Sequence, residues 1–413
     1  MSGKVWIVSE LYYPEETSTG YLLTKIAEGL AEHRRINVLC AQPTYSARGV
    51  RAPSQEERNG VTIYRCRATT FDKNKLLLRL INLVTISLSI FLQAVRKIGK
   101  QDCVVVVTNP PLLPFLVAFA CSLRGAKCLL LVHDVYPEVL IASGISQPHS
   151  VFTRLIAWLN RRLYGNVERI IILGRDMERI VSKKFEKDSR RTVIITNWAD
   201  LDQIFPSPRN QNSLLEELGL SKKFVIQYAG NMGRTHGLES LLESARRLSE
   251  IGDVHFLFIG SGAKKRWLEE AVANHEIRNI TLLGNRPRSD QSNFLNACDV
   301  TVISFMPGMA GISVPSRMYN ILAAGKPIIA VADSDSELAL VVKEEGVGWI
   351  VPPDQPDKVV EAILDARAHP ECVAEMGMRA RAVAENKYSL SKVIESYTYL
   401  INSIDDNQNL RDR

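Results

Sequence analysis

Residues 311–330 read "GISVPSRMYNILAAGKPIIA". A loop with Val314, Pro315 and Ser316 runs into apolar residues at helical spacing. Gly325-Lys326-Pro327 ends that pattern, and a short apolar run follows. Glycine and proline stop helices, and a short apolar run bounded by turn signals reads as a strand covered on both faces. The stretch therefore predicts a helix starting near Ser316 and then a buried strand. It holds no carboxylate, and Arg317 falls in the first turn of the helix. A helix start leaves backbone N–H groups unpaired and a partial positive charge. An anion such as a nucleotide diphosphate is the expected occupant, with Ser316 either capping the helix or bonding a phosphate.

The same alternation extends in both directions. Upstream, "KVWIVSELY", "INVLCA", "VTIYRCRA", "DCVVVVTNPP", "KCLLLVHDVYP", "RIIILG" and "RTVIITNWAD" read as strands separated by helical spacing. The pattern breaks at "QIFPSPRNQNSLLEELGLSKK", where a linker is expected. A second set then runs from "FVIQYAGN" through "VHFLFIGSG", "ITLLGN", "CDVTVISF", "KPIIAVA" and "GWIVPP". Two successive α/β sets imply two doubly wound, Rossmann-like domains facing a cleft, with ligands at the carboxyl ends of the strands. The expected boundaries are 1–205 and 206–385, with a last helix at 386–413 packing back on the first domain.

Composition agrees with a globular chain: 413 residues, 46% hydrophobic and 23% charged. The seven cysteines form no C-x-x-C pair, which suits free thiols in a reducing cytosol. The N-terminus begins as a buried strand and lacks the apolar core of a signal peptide. Residues 1–205 carry 28 Lys and Arg against 18 Asp and Glu, and residues 206–413 carry 23 against 27. The basic half favours an anionic surface or substrate. Nucleic acid is not expected, since no zinc-finger spacing, RNP-like strand or basic heptad helix is present. Residues 74–99 pair a wide apolar face with basic ends at Lys73, Lys75, Arg96, Lys97 and Lys100. Polar residues interrupt the run before the ~20 residues of a membrane span. That leaves a buried domain helix or a helix lying at a membrane interface.

Several strand ends could carry chemistry. In "YAGNMGRTHGLE", Gly230 and Gly233 permit close backbone approach, and Arg234 and His236 are candidate positive charges. Gly260-Ser261-Gly262 is a second such turn. Neither turn matches the dinucleotide or P-loop fingerprints. His133, Asp134 and Glu138 follow a buried strand, where an α/β site belongs, unless His133 and Asp134 merely satisfy each other. No G-x-S-x-G or H-E-x-x-H occurs, which excludes the common hydrolase and zincin patterns.

In order, "YYPEETSTGYLLTKIAEGLA", "HDVYPEVLIASG", "TNWAD", "YAGNMGRTHGLESLLE", "FIGSGAKK", "LLGNRPRSD" and "VPSRMYNILAAGKPIIA" resemble the GT-B nucleotide-sugar glycosyltransferases of family four. The likeness is to the branch that builds bacterial surface polysaccharides, of colanic-acid and O-antigen type. The resemblance implies a retaining transferase with no obligatory metal and no cofactor beyond the nucleotide-sugar co-substrate, a UDP-sugar being favoured. It implies a donor-binding second domain and an acceptor-binding first domain. The acceptor would be lipid-linked or an oligosaccharide, reached by a cytoplasmic protein peripheral on the inner face of the cell membrane. By the same resemblance His133 lies beside the transferred sugar, with Asp134 and Glu138 as further catalytic candidates. Gly20 lies near the donor phosphates, Asn285 and Arg286 near the base, Ser316 and Arg317 at the diphosphate, and Asn320 near the ribose. Gly230, Asn231, Arg234, Gly260, Ser261 and Gly262 complete the donor set, and Tyr13 and Tyr136 are the acceptor candidates. The family's E-x₇-E acids are replaced by Ile312 and Asn320. A GT-B epimerase, a phosphorylase, a non-catalytic nucleotide- or membrane-binding subunit and a dehydrogenase are the other classes weighed. A phosphorylase should show a lysine motif for pyridoxal phosphate, and a dehydrogenase the dinucleotide fingerprint; neither is present.

Overall fold

A computed structural model describes residues 3–44, 47, 49–71, 75–184, 191–275 and 277–411. Lys73 and Asn74, part of the apolar segment read above, lie outside the described residues. In chain order the strands are β1 (Val5–Val8), β2 (Ile36–Ala41), β3 (Gln55–Arg58), β4 (Val61–Cys66), β5 (Cys103–Val107), β6 (Lys127–Leu131), β7 (Arg169–Ile172), β8 (Thr192–Ile194), β9 (Phe224–Ala229), β10 (Val254–Ile259), β11 (Ile280–Leu283), β12 (Val300–Ser304), β13 (Ile328–Val331) and β14 (Gly348–Val351). The helices are α1 (Ser18–Ala31), α2 (Leu76–Lys97), α3 (Leu113–Arg124), α4 (Glu138–Ala142), α5 (Val151–Asn166), α6 (Arg175–Ser182), α7 (Ser213–Glu217), α8 (Leu238–Arg247), α9 (Lys265–Asn274), α10 (Gln291–Asn296), α11 (Arg317–Ala323), α12 (Glu337–Glu345), α13 (Pro356–Ala368), α14 (Pro370–Lys387) and α15 (Leu390–Arg411).

The chain forms two compact units. The first holds Met1–Glu138, Ser146–Asn197 and Leu390–Arg413; the second holds Val139–Ile145 and Trp198–Ser389. The first unit is built on one sheet of order β3-β4-β2-β1-β5-β6-β7-β8. All neighbours are parallel except β3 and β4. The central strands are continuous apolar runs such as Cys103–Val107, buried throughout, because crossover helices cover both faces. The antiparallel edge strand β3 has the sequence QEER and escapes a hydrophobicity reading. Its signal is the turn Asn59-Gly60, where both residues take positive φ (46° and 77°) and close a two-residue hairpin.

Asp102 locks the start of this sheet. Its carboxylate accepts from the Lys4 N–H (2.9 Å), the Trp6 indole Nε1 (2.8 Å) and the Gly99 N–H (2.8 Å), which ties β1 to the entry of β5. α15 belongs to this unit and packs on α1, where Arg34 pairs with Asp405 at 2.8 Å.

α2 connects β4 to β5. Ile86, Ile90 and Ala94 on one side are buried. Its opposite side leaves Leu77, Val84, Leu88 and Leu92 exposed. By length and composition Leu77–Lys97 suffices to cross a membrane, so the expectation that polar residues break the run too early is corrected on that point. The packing shows that α2 is a domain helix with one side in the core.

The second unit has sheet order β11-β10-β9-β12-β13-β14, all parallel, so the strand order reverses between β9 and β12. Its core joins Tyr228, Phe256, Phe258, Val302 and Ile329 with Leu241 and Ile363 of the covering helices. Residues 198–205, read from the sequence as the end of the first domain, group with this unit. Trp198, Ala199 and Ile204 are buried, and the Asp200 N–H donates to the Asn320 amide oxygen at 3.0 Å. The expected linker is folded as well. Asn212 caps α7, whose Leu214 and Leu215 are buried.

Removing the Asp102 carboxylate would leave three donors in a buried setting at ~1–3 kcal/mol each. Asp102→Ala should lower stability by about 3 kcal/mol or more in urea unfolding, whereas Asp102→Asn, which retains an acceptor, should lose less.

Candidate active site

In the second unit the site forms at the carboxyl ends of β9 and β10, beside the point of strand reversal. Gly230 follows β9 with φ +141°, and Gly260 follows β10 with φ +145°. A Cβ on Gly260 would overlap the Gly230 carbonyl, so the two turns come together only as glycines. Backbone bonds then join them: Met232 N–H to the Ser261 carbonyl (2.8 Å) and Lys264 N–H to the Met232 carbonyl (2.9 Å). Asn231, Ser261 and Gly262 are exposed along this edge.

Arg317 crosses the same place. A Cβ on Gly230 would sit 2.9 Å from its Nη1. Its guanidinium carbon lies 4.6 Å from the centre of the Tyr228 ring, and its Nη2 is 3.1 Å from His236 Nδ1. A guanidinium only donates, so this contact is a hydrogen bond in the tautomer that leaves Nδ1 unprotonated. Tyr228 Oη lies 2.6 Å from both that Nδ1 and the Asn231 carbonyl. Burial, with Arg317 and Lys264 nearby, holds the His236 pKa well below its ordinary value. His236 is therefore neutral, which corrects its reading as a positive charge. Among the described residues Arg317 forms no ion pair, and its buried Nε has no hydrogen-bond partner. The cluster thus holds one guanidinium whose charge no carboxylate offsets.

The other donor candidates are placed less centrally. Ser316 has helical backbone angles (φ −59°, ψ −25°) and makes no side-chain capping bond, so the expected serine cap is not formed. α11 is only seven residues long, and the positive charge here belongs to the Arg317 side chain more than to the helix end. Asn320 spends its amide oxygen on Asp200. Arg286 is paired with Asp290, Asn285 is exposed after β11, and Arg234 is exposed near the β9 turn. Ile312 is buried. Sequence reasoning missed Asp333, whose carboxylate accepts from the Gly308 and Ala310 N–H groups at 3.2 and 3.1 Å and fixes that loop. Its signal is an aspartate directly after the apolar run "IIAVA". Lys264, which donates to the His236 carbonyl at 2.7 Å and pairs with Glu239, was also missed.

In the first unit, candidates gather at the carboxyl ends of β1, β5 and β6. Thr108 Oγ1 accepts from the backbone N–H groups of His133 (3.0 Å) and Asp134 (3.3 Å). The His133 Nδ1 faces Thr19 Oγ1 at 3.5 Å, so its neighbour is the first turn of α1. Gly20 fits there because a Cβ would lie 2.7 Å from the Glu15 carbonyl oxygen. Thr24 Oγ1 donates to the Gly20 carbonyl (2.7 Å) and accepts from the Tyr13 N–H (3.1 Å). One face of the Tyr13 ring is covered by Arg58 at 3.8 Å. Burial lowers His133 to about 4 and raises Asp134 to about 6. Glu138 pairs with Lys184, which also donates to the Tyr136 carbonyl at 2.9 Å. Glu138 is engaged as an anchor beside the catalytic candidates.

Two family models match: the glycosyl transferase 4-like domain over residues 20–198, and glycosyl transferases group 1 over residues 210–383. The chain is 30% identical over 388 residues to a probable glycosyltransferase, WbjE, of Pseudomonas aeruginosa, with 94% of each chain covered. The chain belongs to the group 1 glycosyltransferases. It is also 24% identical to the putative colanic acid biosynthesis glycosyl transferase WcaI of Escherichia coli K12, over 89% of this chain and 93% of that one. The solved structure of Anabaena Alr3699/HepE in complex with UDP and glucose superposes with a TM-score of 0.75 at 14% identity, over 97% of this chain and 100% of that one. That likeness speaks for the fold, which is GT-B. As the sequence resemblance implies, this glycosyltransferase has two Rossmann-like sheets of parallel strands.

Its histidines set a pH dependence. His133 and His255, both lowered to about 4 by burial, and His236 stay neutral in the fold. The unfolded chain binds those protons near pH 6.5. Stability is therefore full above about 6.5 and falls as the pH drops toward 4. Asp134, raised to about 6, binds its proton first in the folded state and offsets part of the loss between about 6 and 4. Urea unfolding between pH 7.5 and 5 should show a net loss on the order of a few kcal/mol. A rise in stability over that range would refute the neutral assignments.

Proposed function

We propose that this glycosyltransferase moves a sugar, with retention, from a UDP-sugar to a lipid-linked acceptor in bacterial surface-polysaccharide assembly. The observation that carries the proposal is the unpaired Arg317 guanidinium held across Gly230 at the strand-reversal point. Leaving-group departure from an anomeric carbon releases a nucleoside diphosphate anion. A fixed cation next to exposed backbone N–H groups is the arrangement that stabilises such charge as it develops.

Roles follow unit by unit. In the second unit, the turns at Gly230-Asn231 and Gly260-Ser261-Gly262 take the diphosphate with Arg317 and Ser316, and Arg234 adds a second cation from the surface. Asn320 meets the ribose through its amide nitrogen, and Asn285 with Arg286 lies toward the base. These cations carry the leaving-group charge without a divalent metal. In the first unit, Gly20 lets the chain approach the donor and neutral His133 orients the transferred sugar. Asp134, ionised at neutral pH yet close to its midpoint, is suited to accept the acceptor hydroxyl proton. Tyr13 and Tyr136 contact the acceptor, and Glu138 holds Lys184 in place. Retention follows if the departing diphosphate assists on the face it leaves. The name of WcaI, a putative colanic acid biosynthesis glycosyl transferase, supports the polysaccharide setting. The UDP held by HepE supports the donor base. A lipid-linked acceptor places the protein on the cytoplasmic side of the cell membrane.

Purified protein with UDP-, GDP- and dTDP-sugars, with and without a membrane lipid extract, tests this directly. Extract-dependent release of UDP, unchanged by EDTA, is expected. Arg317→Ala should reduce it ~100-fold or more. His133→Ala should abolish transfer while leaving UDP binding within a few-fold. Nucleotide binding with no transfer to any extract would refute the catalytic reading. An inverted anomeric configuration in the product would refute retention.

A further inference from the structure

The first unit has an apolar surface that its own core does not use. β4-α2-β5, β5-α3-β6 and β6-α5-β7 all step the same way along the sheet. Right-handed crossovers therefore put α2, α3 and α5 on one face, with α1 on the other. α2 packs on α3, with Phe91 and Phe119 stacked at 6.0 Å, and α3 packs on α5. α2 and α3 have their buried sides on the sheet, and each of the three helices carries an exposed apolar row. On α2 that row includes Leu77, 75% exposed, and Leu92, 52%. On α3 it is Phe119 and Leu123, and on α5 it is Val151, Phe152, Leu155 and Trp158, all more than 45% exposed. Three such rows side by side exceed the scattered apolar residues of an ordinary surface.

The charge on the same helices says what covers them. α2, α3 and α5 carry seven Arg and Lys residues and no Asp or Glu. The Arg162 guanidinium lies 4.2 Å above the Trp158 ring, an amphipathic pair suited to the headgroup level. A second copy placed against this face would set cations against cations, whereas an anionic bilayer offers hydrocarbon for the rows and phosphate for the cations. We propose that α2, α3 and α5 together form a docking face for an anionic lipid bilayer.

The face also has an orientation. Crossover helices run opposite to their strands, so α2, α3 and α5 all begin at the carboxyl edge of the sheet. Leu77, Leu80 and Ile81 of α2 and Val151 and Phe152 of α5 lie at that end. Arg79, in the first turn of α2, is near enough to favour ionisation of Tyr136 against its burial. The bilayer would then lie beside the edge that holds His133, Asp134 and Tyr136. This deepens the lipid-linked acceptor reading and rests on it only for that purpose; docking itself stands on the surface.

The test is co-sedimentation of the full chain with phosphatidylglycerol vesicles and with phosphatidylcholine vesicles. Binding to phosphatidylglycerol is expected, at least about tenfold stronger than to phosphatidylcholine, and weakened by 0.5 M salt. Leu88→Glu with Leu155→Glu, both at exposed positions, should lower partitioning about tenfold or more, with melting and UDP binding unchanged. Equal binding by the variant, equal binding to both lipids, or no binding by the wild type would overturn the proposal. So would a wild-type dimer that the variant abolishes, since the face would then belong to a second copy. UDP turnover without vesicle binding would reject docking and leave the catalytic reading. Vesicle binding without turnover would do the reverse.

Discussion

The second unit depends on how closely two backbone turns can approach. Gly260 rests against the Gly230 carbonyl at a distance no Cβ allows, and Arg317 lies across Gly230 for the same reason. The absence of side chains at these positions does two things. It joins the ends of β9 and β10 into one edge, and it leaves a long cation no place except over that edge. The Tyr228 ring and His236 Nδ1 then fix the guanidinium from the other side. A lysine would lack the plane that stacks on Tyr228 and the fork that reaches His236. Geometry and charge at this site are a single packing solution.

The neutral state of His236 belongs to that solution. A protonated imidazole next to Arg317 and Lys264 would place three cations together in a partly dry setting, at a cost that burial makes larger. Kept neutral, the ring adds no charge of its own beside the Arg317 guanidinium. The first unit uses burial differently. There one threonine, Thr108, holds the backbone of both His133 and Asp134, and their side chains sit at opposite displacements from ordinary acidity. Burial leaves the imidazole a weaker base and the carboxyl a weaker acid than either is in water.

Much of this was legible in the amino-acid sequence because parallel sheets write themselves plainly. "DCVVVVTNPP" and "VHFLFIGSG" are apolar on both faces, and the residues that follow them are where sites form. The glycine turns and His133 were singled out on that principle, and Arg317 as part of a helix start. β3 was missed because an edge strand half in water has no apolar signature; only the Asn59-Gly60 turn betrayed it. The state of His236 was missed because charge in a cluster depends on neighbours distant in the chain, here Arg317 and Lys264. That Ser316 does not cap α11 was likewise invisible, since capping depends on one pair of backbone angles. Asp333 was overlooked although its position after "IIAVA" obeyed the rule already in use.

β3 carries a final consequence. As the outermost strand it ends the first sheet with Gln, Glu, Glu and Arg, and Glu56 reaches inward to the fully buried side chain of Arg65, which also bonds the Tyr13 carbonyl at 3.0 Å. An edge dressed with charge is a poor template for another strand. Molecules gathered on a bilayer are confined to two dimensions, at local concentrations that favour strand-to-strand growth. A polar edge favours discrete copies over such growth, and its Glu56–Arg65 ion pair is anchored in turn to the Tyr13 carbonyl.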